Sequence, residues 1–167
     1  AARVDAAGDV VVLEDQDRTR WDAALIREGE DLLERALRMG RLGAYQLHAA
    51  IAACHSGAAR AEDTDWRQIA LLYGELVRYE PSPVVEANRA VAVAMSEGPD
   101  AGLVILDALA HDPRMDRWPR LHVARAELLR RLARTDDAAA AYRRALELEP
   151  PGAERAHVAR RLADLTG

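Results

Sequence analysis

Three stretches of this chain end on the same phrase. Val77-Arg78-Tyr79-Glu80-Pro81, Leu109-Ala110-His111-Asp112-Pro113 and Leu146-Glu147-Leu148-Glu149-Pro150 each bring an apolar run to an acid and a proline, and the prolines lie 32 and then 37 residues apart. Proline cannot continue a helix, and it pushes the residue before it out of the helical region. Each phrase is therefore a helix end, and recurrence at this period is the mark of stacked helical hairpins. Composition agrees: 50% of the residues are hydrophobic, but only 4% are aromatic and none is Phe. A core so poor in rings is packed from Ala, Leu and Val, which favours close-set helices over a β-sandwich.

The 167 residues suffice for one domain or a short array with a real core. Net charge is -5, which excludes a globally basic nucleic-acid module. All 23 basic residues are Arg, a sign of a GC-rich genome rather than of function. The single Cys54 excludes a disulfide framework and a cysteine zinc cluster. No apolar run approaches the ~20 residues that span a bilayer, and no signal peptide is visible. A cytoplasmic protein with no membrane contact is expected. The start at Ala1-Ala2-Arg3 predicts a fragment of something longer.

Along the chain, residues 3 to 13 are the only β-like segment, with Gly8-Asp9 predicting a short hairpin. Residues 1–20 are expected to be this hairpin and a connector left from an upstream region, and 21–167 a helical domain. Thr19 to Asp22 resembles a capping box before a first helix, whose expected stripe is Leu25, Gly29, Leu32, Leu33 and Ala36. Helices follow from Tyr45, from a Thr64 cap, from Ser82-Pro83, from Gly98-Pro99, from Pro119, from a Thr135 cap and from Ala153. The apolar span Val84 to Met95 predicts a helix buried on several sides.

In the last full unit, Ala126, Ala138, Tyr142 and Ala145 fall where the tetratricopeptide (TPR) pattern wants small, small, aromatic and small. The fold class is thus all-α, a tetratricopeptide-like array of helical hairpins. The unit before it offers Ala90, Ala101, Ile105 and Ala108, and the first offers Ala50, Tyr73 and Leu76. The physical logic is that antiparallel helices approach closely only where side chains are small.

Four longer phrases narrow the resemblance. They are Leu13 to Asp22, Ala44 to His55, Asp63 to Trp66 with Ile69 and Leu72-Tyr73, and Ser82 to Val85 with Asn88 to Ala94. In this order they resemble the C-terminal tetratricopeptide-like extension of bacterial extracytoplasmic-function sigma factors. Leu42-Gly43-Ala44-Tyr45 departs from the Gly-Pro-Tyr of that pattern. The resemblance implies that promoter-binding and polymerase-binding domains lie upstream, and that DNA is bound only there. It also implies that the extension regulates transcription initiation through the sigma domains, RNA polymerase or a partner, with a small YCII-like (DGPF) protein as one candidate.

The repeat frame places His48, Ile51, His55, Asn88, Val91, Arg120 and Glu127 along one interaction groove. Asn88 suits either a peptide carboxylate or a backbone partner inside a buried helix. His48 and His55 lack the further ligands a metal site needs, and no catalytic residue or cofactor is expected. Asp15, Gln16, Asp17 and Arg18 are expected to lock the connector to the array by hydrogen bonds and ion pairs, with Trp21, packed between hairpins, and Asp22, facing the helix dipole, as further connector contacts. A stand-alone peptide-binding scaffold and a small-molecule sensor with a pocket under His48, His55 and Asn88 remain the alternative functions.

Overall fold

Where the sequence sets a short polar side chain or a proline ahead of an apolar run, a helix begins. A computed structural model describes residues 11, 13–150 and 152–167 of the chain, and the regular structure among them is helical throughout. In order the helices are α1 (Ala23–Arg38), α2 (Ala44–Ser56), α3 (Trp66–Tyr79), α4 (Pro83–Glu97), α5 (Pro99–Leu109), the single turn α6 (Pro113–Asp116), α7 (Pro119–Arg131), α8 (Thr135–Glu147) and α9 (Gly152–Thr166). Of the expected β-hairpin at residues 3 to 13, all but Val11 and Leu13 lies outside the described residues. Val11 belongs to no regular element, and Leu13 opens a 3-10 turn, Leu13–Asp15.

The caps explain the boundaries. Asp22 Oδ1 accepts from the amides of Ala24 and Leu25 at 2.9 and 3.1 Å and starts α1. The expected capping box is therefore displaced, because Thr19 instead donates to Asp17. Asp65 Oδ1 accepts from the Gln68 amide and starts α3, so Thr64 is not the cap expected of it. Ser82 and Pro83 open α4 as expected, with Ser82 Oγ accepting from the Val84 amide. Helix α7 ends on a left-handed Ala133 (φ 56), with Arg134 N–H bonded to the Leu129 carbonyl and Ala133 N–H to that of Arg130. That pair of bonds satisfies carbonyls that a helix end otherwise leaves orphaned.

The chain forms two compact units, divided between Val85 and Glu86. In the first, α2 packs against both α1 and α3, and Leu47, Ile51, Ile69 and Leu76 are buried. Helix α1 contributes only half-buried Ile26, Leu33 and Ala36, while Leu25, Gly29 and Leu32 of its expected stripe are exposed. At about 100° of turn per residue, its apolar positions cover an arc wider than one neighbouring helix can occupy.

The second unit is closer packed. Ala126, Ala138, Tyr142 and Ala145 have no exposed surface, which brings α7 and α8 together with the Tyr142 ring as the filler. The Tyr142 hydroxyl donates to Glu127, whose carboxylate also accepts from Arg130 and lies 3.4 Å from Arg161 of α9. Burial first, and then this bond, push the phenol well above its ordinary range, so it stays protonated. In α5 the buried residues are Gly102, Leu103 and Leu106, and the expected Ala108 is exposed. The short turn at Gly98 (φ 111) before Pro99 sets the helix at a different rotation from the one the repeat spacing predicts. Ala87, Ala90, Ala92, Val93 and Ala94 are buried along α4, in keeping with the helix expected to be covered on several sides.

Gly102 marks the tightest approach in this unit. A Cβ there would sit 2.4 Å from the Ala90 carbonyl oxygen and 2.5 Å from the Ala94 Cβ. Neither atom belongs to a flexible side-chain end, so α4 and α5 must separate to admit a methyl group. Gly102→Ala is expected to lower unfolding free energy by about 1–3 kcal/mol in urea titration, the range of overpacked cores. That is despite alanine's better helix propensity. A variant as stable as the parent would show that these helices do not touch there.

Candidate functional site

The connector residues before α1 are tied down by one arginine. Arg18 lies in a 3-10 turn, Arg18–Arg20, which Asp17 caps by accepting from the Thr19 amide and hydroxyl. From there Arg18 Nη1 donates to the carbonyls of His55 and Ala58, both at 2.7 Å, and Nη2 donates to Thr64 Oγ1 at 3.3 Å. The first two acceptors are carbonyls at and just past the end of α2, where the helix has no donors of its own. Trp21 lies against the same guanidinium, its ring centroid 4.9 Å from the central carbon. One side chain thus joins the connector, the end of α2 and the residue that precedes the α3 cap.

His55 completes this cluster. Its ring meets Trp66 of α3 edge to face at 5.2 Å, and its Nδ1 is buried with no hydrogen-bond partner. Burial, and after it the positive Arg18, hold the imidazole below its ordinary range. The ring is neutral at pH 7. Neighbouring Cys54 is half-buried, and burial raises its thiol pKa, so it is a poor nucleophile.

Beside the cluster opens a cleft of about 690 Å³ between the connector, the first turn of α1 and the end of α2. Its apolar wall is Leu13, Trp21, Leu25, Ile26 and Ala52, with His55 behind. Arg20, Asp22, Gln16 and Ser56 supply the polar atoms.

The expected connector residues divide by role. Arg18 makes the long-range lock and Trp21 stacks on its guanidinium, Asp17 and Asp22 act as local caps, and Gln16 donates to the Val11 carbonyl. No ion pair is made by Asp15, Asp17 or Asp22 among the described residues, so the hydrogen bonds of Arg18 hold the connector.

The expected groove residues also divide. Ile51 is 6% exposed and belongs to the core of the first unit, because its face of α2 meets the neighbouring helices. His48 is half exposed and lies 3.1 Å from Glu80, while His55 faces the connector. In the second unit Asn88 is exposed and makes no side-chain hydrogen bond among the described residues, so it is not the buried, backbone-bonded Asn that was one expectation. Val91 is half-buried, and Arg120 pairs with Glu154 of α9 at 2.8 Å. Glu127 is spent on Tyr142, Arg130 and Arg161, which removes it from any groove. Among the described residues no three His, Cys, Asp or Glu side chains are placed to share a metal ion. Among the described residues no helix is long and apolar enough to cross a membrane.

Arg20, Leu13, Leu25 and Ile26 are cleft residues that sequence reasoning did not single out. Their only signal was proximity to the Arg18 and Trp21 pair, whose target carbonyls lie 37 and 40 residues away.

Two outcomes follow for the clamp. Arg18→Ala is expected to cost about 2 kcal/mol in chemical denaturation, because charged hydrogen bonds contribute roughly 1.5–3 kcal/mol each and this site is only part-buried. Arg18→Lys should not restore it, since one ammonium lacks the planar fork that reaches three acceptors. The second outcome concerns acid. The unfolded state takes up a proton on His55 below about pH 6.5, but the folded state resists it. Stability should be full above that pH and fall as pH drops through the lower folded value. His55→Gln should flatten the melting-temperature profile between pH 7.5 and 5.5; identical profiles would show that His55 protonation is not what couples stability to pH.

Residues 1–37 match the model of a family of unknown function (DUF6596), a span that includes the connector, Arg18, Trp21 and most of α1. The chain is also similar to an uncharacterized protein of Rhizobium meliloti (strain 1021), 44% identical over 164 residues. That alignment covers 98% of this chain and 38% of the relative, so the chain spans well under half of that protein's length.

Proposed function

We propose that this chain is a regulatory protein-interaction domain, a tetratricopeptide-like array that serves as the C-terminal extension of an extracytoplasmic-function sigma factor. The observation that carries the interaction reading is the open face of α1. Leu25 and Leu32 are exposed along one side of that helix and Met39, just past its end on the same side, by 74%, while only Ile26, Leu33 and Ala36 are half-buried. Exposed apolar residues are ordinary one at a time, but several along one helix form a surface that water disfavours and a protein partner covers.

The array reading draws support from the α7–α8 hairpin, whose Ala126, Ala138, Tyr142 and Ala145 are all fully buried at the repeat positions. The sigma-factor reading rests on the ordered phrases from Leu13 to Ala94. It is also compatible with a relative in which the matched region is 38% of the protein. In this reading the array contacts upstream sigma domains, RNA polymerase or a small YCII-like (DGPF) protein, and takes no part in promoter contact. A net charge of -5 fits that division, since affinity for DNA is dominated by cationic contacts to phosphate.

The test is a promoter-driven reporter with the full-length protein. Removing the region that corresponds to residues 1–167 is expected to change transcription severalfold while the upstream domains stay folded. Leu32→Glu with Met39→Glu should reproduce part of that change without lowering the melting temperature, because both side chains are already solvated. A deletion that behaves like the intact protein would overturn the regulatory reading. A working deletion phenotype with a silent double substitution would move the partner surface away from α1.

A further inference from the structure

We infer that the open face of α1 is covered by a second copy of this chain, the two α1 helices lying antiparallel about a two-fold axis. This rests on the reading of that face as a protein contact and names its occupant, but it needs no sigma factor. Leu25, Gly29, Leu32, Ala36 and Met39 follow one another at steps of four, three, four and three residues. That is the repeat of a helix that packs along a seam against another helix. Ala36 is half-buried and the other four are exposed, so the seam is left open by the rest of the chain.

The seam is complementary to itself in one orientation. Large Leu and Met recur every seventh residue, with small Gly29 and Ala36 between them. The midpoint of α1 falls between Glu30 and Asp31. Turning a second copy about that point sets Leu32 opposite Gly29 of the other copy, and Leu25 opposite Ala36. Each large side chain then meets a small one, whereas parallel helices would set leucine on leucine and leave a gap at glycine. Gly29 itself supports this contact. It sits mid-helix, where glycine is disfavoured, it has no positive φ, and a Cβ there would meet nothing within 4 Å. The single chain gives no use for it; close approach of a second helix does.

The charges agree. Glu28 and Arg35 lie on one flank of the seam, both exposed, and neither side chain makes an ion pair or hydrogen bond among the described residues. They are about 10.5 Å apart along their own helix, at 1.5 Å per residue. A two-fold axis keeps this flank on one side of the antiparallel pair, so Glu28 of one copy comes within about 3 Å along the axis of Arg35 of the other. The pairing is made twice. The opposite flank carries Ile26 and Leu33, half-buried and uncharged. A helix of 16 residues is about 24 Å long, which suits a small, reversible contact.

Sedimentation velocity of the 167-residue chain, from micromolar to millimolar concentration, tests this. A reversible shift from monomer to dimer and no further is expected. Leu32→Glu places a carboxylate in both central layers and should keep the chain monomeric. Arg35→Glu alone, or Glu28→Arg alone, sets like charges together twice and should raise the dissociation constant about threefold or more. The two reversals combined should return it to the parent value. All three side chains are exposed, and circular dichroism of the dilute variants checks that each folds. A monomer at every concentration overturns the proposal. So does a dimer indifferent to Leu32→Glu or to the single reversals, or one that the combined reversal fails to restore. Transcription enters none of these readings, so a monomeric chain leaves the reporter test of the regulatory reading intact, and a silent deletion leaves the dimer intact.

Discussion

A chain that folds without phenylalanine must gain its packing by bringing backbones close together. In the second unit this is what happens: Ala90 and Ala94 meet Gly102 across α4 and α5, and Ala126, Ala138 and Ala145 sit fully buried around one tyrosine. Small side chains contribute little apolar area each, so the energy comes from many close contacts at crystal-like density. The consequence is intolerance. A single methyl group at Gly102 has nowhere to go, whereas a core of large rings accommodates such a change by repacking.

The first unit solves a different problem. Its α1 has an apolar arc broader than α2 can cover, and the connector before it has no regular element to hold it in place. Arg18 supplies that hold by reaching carbonyls that α2 cannot satisfy itself, so one charged side chain both ends a helix and anchors a loop. The same placement adds to the burial that holds His55 neutral, sets Trp21 against the guanidinium and borders a cleft before α1. The exposed face of α1 and this cleft share Leu25.

Sequence reading was most reliable where a signal acts within a few residues. The Ser82-Pro83 start, the Gly98-Pro99 start and the proline stops are local backbone chemistry, and the structure follows them. It was least reliable where two residues offered the same chemistry. Thr19 and Asp22, or Thr64 and Asp65, are both able caps; the carboxylates took the role at both ends. Thr64 was then free to accept from Arg18. The rotation of α5 was misjudged for a related reason, since a one-residue change in a turn moves a helical face by about 100°.

By itself the sequence determined that the chain is helical, where most helices begin and end, and that Ala126, Ala138, Tyr142 and Ala145 belong to a close-packed hairpin. Those properties are written in proline, glycine, cap residues and apolar period, each of which acts over a turn or two. Only the tertiary structure decided that Glu127 is an internal network member, that Ile51 is core, and that Arg18 reaches carbonyls 37 and 40 residues away. Such facts depend on which carbonyl or carboxylate comes within about 3 Å of a long side chain. That distance is set by the packing of residues tens of positions apart, and no local pattern encodes it.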